Sequence, residues 1–116
     1  MKIKTSELSG AALDWAVAKC EGLDQYFDSE ETCAFDDEGC AYEPSTNWAQ
    51  GGPIIEREEI EIKKYTPKYW SAKLYAFGET NKTICLGETL LIAAMRCYVA
   101  SKLGDEVEVP EEICNA

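Results

Sequence analysis

Residues 45–59 read STNWAQGGPIIEREE, a helical pattern with Gly-Gly-Pro in its middle. Asn47 or Ser45 can cap a helix start, and Glu56, Arg57, Glu58 and Glu59 read as its charged continuation. A proline inside a helix costs about 3 kcal/mol and each glycine about 1 kcal/mol, so the triplet needs a reason. Either the helix starts again at Pro53 as its first residue, or Gly51 and Gly52 let another backbone come close. Trp48, Ile55 and the gap at the glycines share one side at helical spacing, which favours a packing device over a ligand loop. A packing device places Trp48 in the core, and Trp48→Ala should then cost more than a change at Gly52.

Elements of the same kind surround this stretch. In SGAALDWAVAKCEG, residues 9–22, Ser9 can cap a helix, and Leu13, Ala16, Val17 and Cys20 fall on one face. Gly22 is placed to end that helix, and Trp15 flanks its buried stripe. Thr89 caps LLIAAMRCYVASKL, whose apolar residues cover more than half its circumference, as on a helix laid against a sheet. Lys2–Lys4 alternates as a short strand, and Ile60 and Ile62 alternate with charged residues. Trp70 to Phe77, the turn GETNK and the return TICL make a hairpin, and Val107 and Val109 suit an edge strand. The expectation is one α+β domain over 1–116, with helices near 10–21, 46–59 and 89–103 around a small, mainly antiparallel sheet. Leu13, Val17, Ile55, Leu74, Leu91, Met95 and Val99 are its expected core.

Twenty-two acids stand against eleven bases, a net charge of −11. Direct nucleic-acid binding is not expected, because that affinity comes largely from Lys and Arg neutralising phosphates. From Cys20 through Glu56 there is no lysine or arginine while ten acids accumulate. Residues 24–43 therefore read as an acidic loop insertion, pinned by Tyr26, Phe27, Phe35 and Tyr42, and 105–116 as an acidic tail. DDEGC lacks the spacing of a calcium loop. No apolar run approaches the roughly 20 residues a bilayer requires, and MKIKTSELSG has no apolar signal core, so neither membrane nor export is expected.

Six cysteines without an export signal suggest free thiols, with Cys20 and Cys97 buried as small hydrophobes and a Cys33–Cys40 bridge the natural exception. Structural zinc prefers tight cysteine pairs and usually histidine, and this chain has no histidine. Ser-His and Cys-His catalysis is thereby excluded, and no phosphate-loop or nucleophile-elbow motif occurs. The expectation is a protein that is not an enzyme and has no metal or cofactor.

Three stretches, MKIKTSELSGAALDWAVAKCEG (1–22), STNWAQGGPIIERE (45–58) and LIAAMRCYVASKLGDEVEVPEE (91–112), resemble the NinX-like proteins of tailed phages, a family without an established activity. The chain is also similar to phage alpha-beta-alpha sandwich domains, a likeness that implies a continuous but irregular helix over 46–59. Two departures stand out: Asn47 replaces an aspartate after Ser-Thr, and GETL replaces a Gly-Pro-Thr-Pro-like turn, with Thr89 kept as the cap. The resemblance implies a phage or prophage product acting in the bacterial cytoplasm.

The leading functional expectation is an accessory protein that binds a host or defence component, an anti-defence role. Its acidic surface, Asp28, Glu30, Glu31, Asp36, Asp37 and Glu38, would imitate nucleic acid and occupy a basic partner. A second expectation is a sponge for a nucleotide-like signal, with Asn47, Trp48, Gln50, Arg57 and Arg96 as stacking and polar groups. The third is a hydrolase using acids and a divalent metal, which requires several carboxylates converging on one point.

Overall fold

The computed structural model describes residues 1–23, 26–28, 33–35, 41–75 and 82–114. Along the chain run β1 (Lys2–Lys4), a 3-10 turn (Thr5–Glu7), α1 (Gly10–Cys20), β2 (Tyr26–Asp28), β3 (Cys33–Phe35) and α2 (Trp48–Glu58). There follow β4 (Glu61–Lys64), β5 (Trp70–Tyr75), β6 (Lys82–Gly87), α3 (Leu90–Leu103), β7 (Glu106–Glu108) and α4 (Glu111–Cys114). The fold is α+β, and all strand pairs among the described residues are antiparallel.

Local chemistry sets the helix ends. Gly22 takes the left-handed φ of 71° after α1, which lets Leu23 N–H reach back to the Ala18 carbonyl at 3.1 Å. Ser9 stands at the α1 start, but its hydroxyl makes no capping bond, contrary to the sequence expectation. Thr89 does cap α3, its hydroxyl accepting from Ile92 N–H at 3.1 Å. Asn47, not Ser45, caps α2, accepting from Ala49 N–H at 2.9 Å.

Helix α2 is continuous through Pro53 and does not restart there. Pro53 has no N–H for the Ala49 carbonyl one turn back, and both residues are exposed, so water can serve that oxygen. The helix faces the core with Gly51 and Ile54. Ile55, expected in the core, is only partly buried, while Ile54 is 2% exposed. Trp48 is 57% exposed, so the expectation of a buried indole is corrected.

The layers stack in one direction. Helix α3 lies across β5 and β6, and α1 and α2 pack on the far side of α3. Leu13, Val17, Leu74, Leu91, Met95 and Val99 are buried between them, as the periodicity predicts. Strand β6 pairs with β5 and β5 with β4, while β1 pairs with β7 as a separate two-stranded ribbon. A third pair, β2 with β3, lies within the segment read from sequence as loop, and β3 packs against α1. Among the described residues, helices therefore cover the three-stranded sheet from one side.

Candidate functional site

The five residues singled out for a ligand do not converge. Asn47 is engaged as the α2 cap. Gln50 ties down the approach to α2: its Oε1 accepts from Glu43 N–H at 2.7 Å, and its Nε2 donates to the Ala41 carbonyl at 2.9 Å. Arg96 donates from Nε to the Leu8 carbonyl at 2.7 Å and from Nη1 to the Leu86 carbonyl at 2.9 Å. Trp48 projects from the first turn of α2.

Arg57 forms a clamp across three helices. Its two terminal nitrogens donate to Glu21 at 2.9 and 2.8 Å, its Nε to Glu58 at 2.8 Å, and Nη2 also to the Tyr98 hydroxyl at 3.2 Å. The Tyr98 hydroxyl in turn donates to Glu21 at 2.6 Å. Burial would raise the Glu21 carboxyl, but the hydrogen bonds from Arg57 and Tyr98 outweigh it and hold the group below its usual value. Tyr98 is pushed up, by burial first and then by donating to Glu21. Arg57 meets α3 at Tyr98 and Arg96 leaves α3 two residues earlier, roughly 200° around the helix. The two guanidinium groups therefore serve opposite flanks and cannot grip one ligand.

Asp14 is the buried acid that sequence reasoning missed. It is 4% exposed, and its Oδ1 accepts from Ser45 N–H at 2.9 Å. Burial pushes its carboxyl up to about 6, opposed by the Ser45 hydroxyl and amide and reinforced by Glu43. The Ser45 hydroxyl pulls on the carboxylate but makes no hydrogen bond of full geometry among the described residues. A raised acid binds its proton more tightly when folded. Its contribution to stability is therefore complete below its unfolded value of 3.8, declines as pH rises and is lost above about 6. Asp14→Asn keeps an acceptor for Ser45 N–H and removes the charge. It should flatten the stability–pH profile between those limits and stabilise the protein at pH 7 by about 1–2 kcal/mol. That is below the roughly 3 kcal/mol of the full shift, because the new amide is itself buried. Urea denaturation across that pH range checks this; parallel profiles for both proteins would show that burial of the charge is not the cause.

Cys85 on β6 and Cys97 on α3 face one another, and the Cys97 thiol donates to the Thr83 carbonyl at 3.2 Å. The neighbouring Cys97 thiol holds Cys85 below its usual value, and Cys85, with burial, pushes Cys97 up. Cys20, Cys85 and Cys97 are free, with Cys97 buried and Cys20 half-buried. The Cys33–Cys40 expectation lies outside the described residues. Among the described residues, no three of Cys, Asp and Glu gather as a metal site.

A concavity lies on the face of the three-stranded sheet that no helix covers among the described residues. Strand register and side-chain alternation place three rows there: Lys63–Ser71–Leu86, Glu61–Lys73–Ile84 and Tyr75–Lys82. The opposite side carries Ala72, Leu74 and Cys85, the face that α3 covers. Ile84 is 48% and Leu86 37% exposed, and Tyr65 and Tyr75 are exposed beside them. Lys63, Ser71, Lys73, Ile84, Leu86 and Tyr65 are among the residues lining a shallow concavity of about 880 Å³. Sequence reasoning looked for arginines and missed this face. The signal available to it was the run of four lysines against one acid in residues 61–75, in a chain of net charge −11.

Of the acidic surface expected to meet a basic partner, Asp28 ends β2 and Glu30, Glu31, Asp36, Asp37 and Glu38 lie outside the described residues. No helix among the described residues is long and apolar enough to cross a membrane.

Helices stacked behind an antiparallel sheet whose front is uncovered among the described residues define a small α+β protein. The chain belongs to the family of the bacteriophage P22 protein NinX, whose family model matches residues 4–102. The match takes in α1, α2, the whole three-stranded sheet and α3 to within one residue of its end, and it agrees with the resemblance read from the sequence. Among curated proteins, none matches the chain.

Proposed function

We propose that this phage-family protein is a non-enzymatic accessory protein of the infected bacterial cytoplasm, which docks on a host or defence component through the bare face of its sheet. The observation that carries the reading is the exposure of Ile84 and Leu86 along the edge strand β6 of that face, with Lys73 beside them on β5, Lys63 one strand further on β4, and Tyr65 and Tyr75 also exposed. Aliphatic and aromatic side chains rimmed by charge are the composition of a docking patch. The mimicry reading depends on the acidic segment outside the described residues, so this face supports docking and not mimicry.

The test uses the full chain as bait in infected cells, beside Ile84→Ser/Leu86→Ser. Both side chains are exposed, so the double variant should melt like the parent. The expected result is a host protein retained by the parent and lost by the variant. Equal capture by both proteins would end the reading.

A further inference from the structure

The open face also constrains the chemistry of its occupant, an inference that rests on the docking reading above. We infer that it binds an acidic polypeptide segment that also carries aliphatic side chains.

Charge is the first argument. Lys63, Lys73 and Lys82 stand on this face against Glu61 alone, among the described residues. The rest of the chain is strongly acidic, so a basic patch here runs against the composition. Lys64 sits differently: it alternates to the covered side, where its ammonium lies 4.6 Å from the Trp70 ring centroid. The lysines on the open face make no ion pair closer than 4 Å among the described residues. Their charge is available to a partner's carboxylates.

Arrangement is the second argument. Ile84 and Leu86 form an apolar strip along the edge strand β6, and Lys73 beside it on β5, with Lys63 one strand further on β4, forms a basic strip. Neighbouring strands lie about 4.8 Å apart, so one amphipathic polypeptide segment can lay aliphatic side chains on the first strip and carboxylates on the second.

The competing occupants fit less well. A second copy placed face to face would bring two lysine-bearing faces together, and like charges across an interface are unfavourable. A nucleic acid could stack on Tyr65 and Tyr75, but a chain of net charge −11 repels a phosphate polymer as it approaches, and the aliphatic strip has no counterpart in a phosphate backbone.

Fluorescence anisotropy with three labelled probes tests the inference: a peptide of alternating glutamate and leucine, its lysine–leucine counterpart, and oligo-dT. The acidic peptide should bind the full chain at low ionic strength, weaken as salt rises, and bind more tightly than the other two. Charge reversal in Lys63→Glu/Lys73→Glu should weaken it at least about tenfold, and Ile84→Ser/Leu86→Ser by a similar factor, with thermal unfolding unchanged in both. Absence of binding at low salt, preference for oligo-dT or the basic peptide, or binding that neither double variant weakens would overturn it. The two readings fail separately. Host capture that still depends on Ile84 and Leu86, without acidic-peptide binding, ends the acidic assignment and leaves docking in place.

Discussion

Gly51→Ala is expected to lose about 3 kcal/mol of stability, while Gly52→Ala, one residue on, is expected to hold or gain. The difference lies in what a methyl group would meet. At Gly51 it would run into the Pro44 carbonyl and lie 2.8 Å from Leu91 Cδ2. The leucine can turn aside, but the carbonyl belongs to backbone that is fixed by its neighbours: Ser45 N–H bonds Asp14, and Glu43 N–H bonds Gln50. Relief requires α2 to move off the core, which is the overpacking penalty at the upper end of its usual range. At Gly52 the methyl would find only Trp48 Cε3, at an ordinary 3.5 Å. Alanine there recovers up to about 1 kcal/mol of helix propensity. Trp48→Ala should be nearly neutral, because more than half of the side chain already faces water. Guanidinium denaturation of the three variants beside the parent decides the matter. Equal losses at both glycines would show that backbone conformation, not close approach, dictates them.

Gly87→Ala should be at least as damaging, again about 3 kcal/mol or more. Gly87 ends β6, opposite Trp70, where the first turn of α3 comes down onto the sheet. A methyl group there would collide with Ala93 N and lie 2.8 Å from Ala93 Cα and 2.9 Å from the Ile92 carbonyl carbon. All three are helix backbone, in the turn that Thr89 caps, so no side chain can rotate out of the way. The helix must lift from the sheet, and Met95 and Val99, fully buried further along it, would lose packing with it. Denaturant titration followed by tryptophan fluorescence reports this, since Trp70 is the residue paired with Gly87. An unchanged midpoint would mean that α3 can slide at no cost, and would undo the account of how the helix is seated.

Much of this fold is readable from spacing alone. Leu13 and Val17 mark the buried face of α1, and Thr89 and Gly104 bracket α3, because periodicity and caps are local properties. The face of α2 is different. Its largest apolar residue, Trp48, suggested the wrong side, since the closest approach is made by a residue with no side chain at all. Gly51 and Ile54 point inward, and Trp48 stands roughly a quarter turn away. Nothing in α1 marks Asp14 as buried either; the segment at Pro44 and Ser45 covers it, and that is a tertiary event. The β2–β3 pair escaped notice because three-residue strands in an acidic segment carry too little alternation to register. The open face was concealed for a related reason. Ile84 and Leu86 alternate with Thr83 and Cys85, so both faces of β6 look partly apolar, and only the placement of α3 decides which is covered.

The ribbon that joins β1 to β7 bears on the order in which the molecule assembles. The ammonium of Met1 meets Glu108, 107 residues away, at 2.8 Å. Closing so long a loop from an open chain costs on the order of 4 kcal/mol in entropy, more than a three-residue strand pair returns. The β5–β6 hairpin and α3 are close in sequence and can form first. Thr5, whose N–H meets the Asp105 carbonyl at 2.8 Å and whose hydroxyl meets the Gly104 carbonyl at 2.6 Å, then has a finished helix end on which to land. The two ends of the chain zip last, against a body already built. The same logic makes that ribbon the first part to open, and hydrogen exchange at Ile3 and Val107 should run ahead of exchange in α3.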